Sequence, residues 1–251
     1  MGKCLLAIDI GNTASKVGLY KAGRFLDHRT MKFNAVPVYA NKLIKSGKYP
    51  HLDIVICSVN PKITALYKKR LLRHNDTKLV ICGKDIEVKI RHKYIEHNRL
   101  GIDRRVSVYG AVRMYRLPLL VLSYGTALTC DYIDAKGCFR GGMIIPGPDT
   151  ALKALGRETA LLPTIHFPSK RTSFLGRTTI ECMESGILEG YGSLTDELVR
   201  RFKSRYGSSI RVIATGGLAR TIASCCSSLD VIDPMHVLKS LMALWRDNLR
   251  S

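Results

Sequence analysis

The stretch LLAIDIGNTASKVGLYKAGRF, residues 5–25, returns as LLVLSYGTALTCDYIDAKGCF, residues 119–139. In each copy a buried-looking strand ends in a glycine turn, x-Gly-Asn-Thr first and x-Gly-Thr second. A second strand follows, and a Gly-containing turn leads to a third. Repetition at so long a period points to a duplicated domain rather than a solenoid, whose units recur every 20–50 residues. Two similar lobes facing each other would make a cleft. The pattern restarts around Arg116-Leu117-Pro118, so the expected lobes are residues 1–117 and 118–251.

Within the first lobe, β-branched and apolar runs bounded by Gly, Asn or Pro predict strands over Cys4–Asp9, Ser15–Tyr20, Arg24–Met31, Asp53–Cys57 and Lys78–Cys82. Helical spacing predicts helices over Val36–Lys45, Pro61–Arg73 and Gly101–Arg116. In the second lobe, helices are expected over Gly147–Gly156, Thr179–Tyr206 and Met235–Asn248, and a strand over Ile210–Ala214. Hairpin strands followed by alternating helix and strand define an α/β class. Trp245 and the scattered methionines read as core.

No apolar run reaches the roughly 20 residues of a membrane span, and Asp9 interrupts the first one, so neither a span nor a signal peptide is expected. The eight cysteines form no C-x-x-C pair and mostly sit in apolar runs, as reduced core thiols would. A soluble, cytoplasmic protein is the expectation. Lys and Arg number 40 against 20 Asp and Glu, a net charge of +20 that would attract polyanions. The basic residues are nevertheless dispersed. The two densest clusters, YKKRLLRH from Tyr67 and RRFKSR from Arg200, have the spacing of solvated helix faces, so nucleic acid is not expected as a partner.

A turn that only joined two strands would need no aspartate at the end of an apolar strand, yet Asp9 stands there. Glycine turns with backbone N–H groups and hydroxyls suit phosphate oxygens. A carboxylate beside them can hold Mg²⁺, and Lys16 can offset charge. Thr215-Gly216-Gly217, at the end of another strand, could let a flat nucleoside lie against backbone. Between the lobes, Gly101 opens a helix with Asp103 and Arg104 in its first turn, where Asp103 can serve the helix dipole or face a ligand. Together, these turns favour nucleotide binding.

In DIGNT (9–13), LGIDR (100–104), GTALTCD (125–131), GGMIIPG (141–147), TALLP (159–163), GRTT (176–179), SGILEG (185–190) and TGG (215–217), in that order, the chain resembles the type III pantothenate kinases of the actin-like ATPase superfamily. The resemblance covers nearly the whole chain. It implies a duplicated ribonuclease-H-like fold with a nucleotide cleft between two lobes, and ATP-dependent phosphorylation of pantothenate, the first step of coenzyme A synthesis. It also implies a homodimer with substrate sites at its interface. Carried over by motif, Asp9, Ile10, Gly11, Asn12, Thr13, Ala14, Ser15, Lys16 and Thr126 contact ATP. Tyr94, Gly101, Ile102, Asp103, Arg104 and a partner subunit's Thr179 contact pantothenate, and Asp103 is the general base. Asp9 is the expected Mg²⁺ residue.

The sequence departs from the family at two positions. Ser123 stands where the family has an Asp that holds a monovalent cation, K⁺ or NH₄⁺, and Thr178 stands where Asn is common. Asp131 is a nearby acid on the next strand. For the dimer, the helix after GRTT offers an apolar stripe through Ile180, Met183, Ile187 and Leu188, which could equally face its own core. Two other functions fit the same fold: a different actin-like phosphotransferase, and a regulatory protein that has kept the kinase fold and binds nucleic acid.

Overall fold

The structure is a computed structural model that describes residues 4–49, 51–71, 77–96, 99–168 and 173–249. Its contacts divide the chain into two compact units. The first holds the described residues up to Ile90, those from Ile95 to Met114 and those from His236 onward; the second holds Arg91–Tyr94 and Tyr115–Met235.

In the first unit, β1 (Cys4–Ile10), β2 (Ser15–Lys21) and β3 (Arg24–Met31) form an antiparallel meander, and β4 (Leu52–Ser58) and β5 (Leu79–Ile81) extend it parallel to β1. The sheet order is β3-β2-β1-β4-β5. β1 and β4 are apolar on both faces and lie at the centre, as strands covered on both sides must. Helix α1 (Ala35–Lys45) and α2 (Pro61–Arg70) follow β3 and β4. α2 starts cleanly: Pro61 needs no N–H partner, and the Asn60 side chain accepts a hydrogen bond from the Ile63 N–H at 3.2 Å. It ends three residues earlier than its sequence pattern suggests. Leu71 turns extended and buries its side chain in the core instead of continuing the helix, and the rest of the basic cluster, residues 72–74, lies outside the described residues.

Helix α3 (Ile102–Met114) and the last helix, α7 (His236–Leu249), pack on each other within this unit. Three buried or half-buried polar contacts hold α7 there. The Trp245 indole N–H donates to Asp53 Oδ2 at 2.7 Å, the Tyr109 hydroxyl donates to Asp247 at 2.6 Å, and His236 Nε2 lies 3.0 Å from the Ser107 carbonyl. Where the expected lobes are residues 1–117 and 118–251, the contacts break between Met114 and Tyr115, put α7 in the first unit and put residues 91–94 in the second.

The second unit repeats the plan. β7 (Leu119–Tyr124), β8 (Ala127–Ile133) and β9 (Cys138–Pro146) are antiparallel; β10 (Arg211–Gly216) and β11 (Val231–Ile232) add parallel to β7. The order β9-β8-β7-β10-β11 reproduces that of the first sheet, and the short β6 (Arg91–His92) extends it beyond β9. Helices α4 (Pro148–Glu158) and α5 (Thr179–Tyr206) lie between β9 and β10 in the chain, and α6 (Ala219–Ala223) lies between β10 and β11. Leu188 is buried in this unit's core, with Ile187 against it, and Met183 is also buried; Ile180 alone of the apolar stripe on α5 is exposed. That stripe is therefore mostly core, because the sheet claims the face that periodicity identifies. Met143, 44% exposed, departs from the expectation that the methionines are interior. All eight cysteines are free thiols, five of them buried.

Candidate active site

The first glycine turn is a four-residue connection. Ile10 pairs with Ser15 across the hairpin, and the Gly11 N–H donates to the Ala14 carbonyl at 3.1 Å. Asn12 and Thr13 at its tip are exposed. The turn is anchored from below by the Ser15 hydroxyl, which is fully buried and 2.9 Å from the Tyr67 hydroxyl of α2.

Directly paired residues of a sheet share a face. Lys16 on β2, Asp9 on β1 and Cys57 on β4 are paired in this way, forming a row at the carboxyl end of β1. Burial raises the Asp9 carboxyl to about 6; Lys16 pulls it down and the nearby Asp103 pushes it up. Burial lowers the Lys16 ammonium, against the pull of Asp9. The Cys57 thiol is pushed well above its ordinary value by burial, with Asp9, Cys82 and Asp103 adding to the effect. The structure thus brings Asp9, Lys16 and Asp103 into one electrostatic neighbourhood, with two neutral thiols beside them. Sequence reading missed Cys57 and Cys82; only the β1–β4 register reveals the first, and both look like ordinary core residues.

Asp103 stands in the first turn of α3. Its Oδ1 lies 2.5 Å from where a Cβ on residue 101 would sit, so Gly101 leaves room for the carboxylate to fold over the helix start. The Arg105 N–H closes that turn on the Gly101 carbonyl at 3.0 Å, and the Arg105 guanidinium reaches the Val88 carbonyl at 3.1 Å. Ile102 is half-buried and Arg104 is buried.

Four expected residues belong to the second unit. Thr126 is exposed in the second glycine turn, which is one residue shorter than the first: Tyr124 pairs with Leu128. Ser123 on β7 is flanked in the ladder by Thr129 of β8 and Thr215 of β10. Thr215 is 1% exposed, and its hydroxyl has no hydrogen-bond partner among the described residues. Asp131 is buried two residues along β8 from Thr129, whose Oγ1 lies 3.4 Å from its carboxylate. Gly217, next to Thr215-Gly216, faces open space. Tyr94 stacks on Phe139 at 6.0 Å between ring centroids.

Thr179 is exposed as the first residue of α5. There the Thr178 hydroxyl accepts from the Glu181 N–H at 3.2 Å, and the Glu181 carboxylate accepts from the Arg177 N–H at 2.7 Å. This reciprocal cap satisfies the first N–H groups of α5. At the other end of α5, Arg200 and Arg201 share Glu197, which they hold down to about 2, so the RRFKSR cluster is a solvated, ion-paired helix end.

Two copies of one mixed sheet order, each with a glycine turn after its first strand and the first turn flanked by the paired Asp9 and Lys16, define a duplicated fold of the actin-like ATPase class. Among solved structures, a protein assigned to the Baf family of transcriptional activators from Campylobacter jejuni superposes with a TM-score of 0.61 at 17% identity, covering 97% of this chain and 98% of its own. A protein assigned as a 2-dehydro-3-deoxygalactonokinase from Sinorhizobium meliloti also gives 0.61, at 15% identity and 98% and 97% coverage. These likenesses establish the fold. The chain belongs to the type III pantothenate kinase family, whose family model matches residues 5–201. The type III pantothenate kinase of Listeria monocytogenes is 31% identical over 97% of both chains, and that of Bacillus cytotoxicus 30% identical over 97% of this chain and 96% of its own.

Proposed function

We propose that the protein transfers the γ-phosphoryl group of ATP to the primary hydroxyl of pantothenate, giving ADP and 4′-phosphopantothenate at the entry to coenzyme A synthesis. The observation that carries this reading is the Asp103 carboxylate, held at a helix start and close enough to Asp9 to shift its ionisation, in a chain of this family.

Asp103 accepts the hydroxyl proton as that oxygen attacks the γ-phosphorus in line; the bond from phosphorus to the bridging oxygen breaks, and ADP leaves with its electrons. Most of the acceleration comes from positioning and charge neutralisation, as is general for phosphoryl transfer. The Gly11–Ala14 turn and Lys16 engage the ATP phosphates, with Thr126 of the second unit as a further ATP contact. Gly101, Ile102 and Arg104 are assigned to pantothenate, and so, on the second unit, is Tyr94.

Asp9 fits a divalent cation: its carboxyl is pushed up to about 6 by burial and by a second carboxylate nearby, and a cation would offset both effects. Mg²⁺ held there would screen the phosphate oxygens. The monovalent cation of the family fits less well. Ser123, Thr129 and Thr215 offer neutral hydroxyls in a row where the family has a carboxylate, and no step is assigned to K⁺ or NH₄⁺.

A homodimer completes the pantothenate site through Thr179 of the second copy. Phe174, Leu175 and Ile180, all exposed and within five residues of Thr179 in sequence, support a covered surface there, since exposed large apolar side chains mark interfaces. Among the described residues no helix is long and apolar enough to cross a membrane. Together with eight free thiols, this supports a cytoplasmic setting.

The test is detection of 4′-phosphopantothenate from pantothenate and Mg-ATP, with Asp103→Asn as the control. The amide keeps the shape of the base but cannot take a proton, so kcat should fall by about 10²–10⁴ while ATP binding stays near normal. Wild-type turnover in Asp103→Asn removes the residue from the base role. Failure to form product, together with tight nucleic-acid binding that weakens steeply with salt, would favour the regulatory reading of the fold.

A further inference from the structure

We infer that Thr150 is a positioning residue for the ATP-binding turn of the second unit, an inference that rests on the assignment of Thr126 to ATP. The Thr126 carbonyl accepts two hydrogen bonds from the start of α4: the Gly147 N–H at 2.9 Å and the Thr150 hydroxyl at 2.7 Å. A carbonyl pinned twice fixes the peptide plane that follows Thr126 and hence the direction in which that residue is presented. The exposed Thr126 hydroxyl has no partner among the described residues and is left to face a ligand.

The approach is close enough to dictate sequence. A Cβ on residue 147 would lie 2.1 Å from the Gly125 carbonyl oxygen and 2.6 Å from that of Thr126, so only glycine lets the helix start reach the turn. α5 braces both sides. The Tyr191 hydroxyl donates to the Pro146 carbonyl at 2.6 Å, and Thr195 Oγ1 donates to the Tyr191 carbonyl while lying 2.7 Å from the Tyr124 hydroxyl. The residues before Gly147 and before Gly125 are thereby referred to one rigid helix.

α4 does not need Thr150 for its own sake. Its first turn is closed by the Ala151 N–H on the Gly147 carbonyl at 2.8 Å, and an exposed threonine is no better a helix former than most residues. The hydroxyl therefore serves the turn rather than the helix.

Thr150→Val keeps the shape and removes the donor. The dissociation constant for Mg-ATP and the KM for ATP should rise about 3- to 10-fold, the size of one neutral hydrogen bond, with kcat and the KM for pantothenate changed less than twofold. Thr150→Ser should restore the ATP values. Thr126→Ala, measured beside them, separates the layers of the argument. A raised ATP KM in Thr126→Ala with unchanged values in Thr150→Val overturns the clamp alone. Unchanged values in Thr126→Ala remove the assignment of Thr126 to ATP, and the clamp's purpose with it. A fall in kcat and melting temperature with no change in ATP affinity would make Thr150 merely structural and also overturn the inference.

Discussion

Asp9 is held where burial and a second carboxylate disfavour its charge and Lys16 only partly offsets them. Its carboxyl titrates at about 6 rather than the ordinary 3.8 because burial disfavours the charge and Asp103 repels it. A carboxyl whose folded value is raised contributes stability that is full below the unfolded value and is lost as pH rises through the folded one. The ligand-free protein should therefore lose stability between about pH 4 and 6 through this group, and urea titrations of Asp9→Asn should lack that part of the slope. An identical slope in the variant would assign the titration elsewhere. Mg-ATP favours the ionised form, so its affinity should weaken below about pH 6 in the wild type. In the second unit the shorter turn pairs Ser123, at the position of Asp9, with Thr129, where the first unit pairs Asp9 with Lys16. With a neutral hydroxyl replacing a full charge there, activity in a bulky organic-cation buffer should stay within about threefold of that in K⁺, ~0.7 kcal/mol in transition-state terms. Strong activation by low-millimolar K⁺ would show that other oxygens rebuild the site.

At the scale of elements, α7 is the piece whose loss would be felt furthest. Leu238, Leu241, Leu244 and Trp245 are all at most 2% exposed, and the Trp245 indole is hydrogen-bonded to the buried Asp53 carboxylate. Trp245→Phe should cost about 2–4 kcal/mol in chemical denaturation, because it leaves a buried acceptor without its donor as well as thinning the core. A change below 0.5 kcal/mol would mean that water replaces the indole. Strands and helices were legible because their signals are local: Asn60-Pro61 announces α2, and the glycine turns bound β1 and β7. The unit to which α7 belongs was not, since an amphipathic face looks the same whichever sheet it covers. The same limit hid the fate of Ile180, Met183, Ile187 and Leu188, whose spacing identifies a buried face but not what buries it. Of the candidate site residues, Asp9 and Asp103 can be named from motif and position. The neighbours Cys57 and Thr150 cannot, because the first is placed by strand register and the second by the carbonyl that a helix start meets.

For the whole molecule, the shared-site dimer predicts complementation. If Asp103 acts within its own subunit and Thr179 across the interface, mixing Asp103→Asn with Thr179→Ala subunits regenerates one intact site per heterodimer. About a quarter of wild-type activity should return at equal proportions, from half the dimers carrying half their sites. No recovery, with heterodimers shown to form, would place both residues in one subunit's site or separate sites. The discontinuity of the first unit has a consequence of another kind. Its sheet is specified within residues 4–81, yet the helix covering β1 and β4 begins only at His236. On the ribosome, at 5–20 residues per second, the chain from Met114 to His236 takes roughly 6 to 24 s to emerge. Throughout that interval the nascent chain carries a half-covered apolar sheet, a substrate for chaperones and for its neighbours on a polysome. A stop codon just before His236 would leave every residue of the glycine turns and Asp103 in place and still deliver a protein that the cell clears.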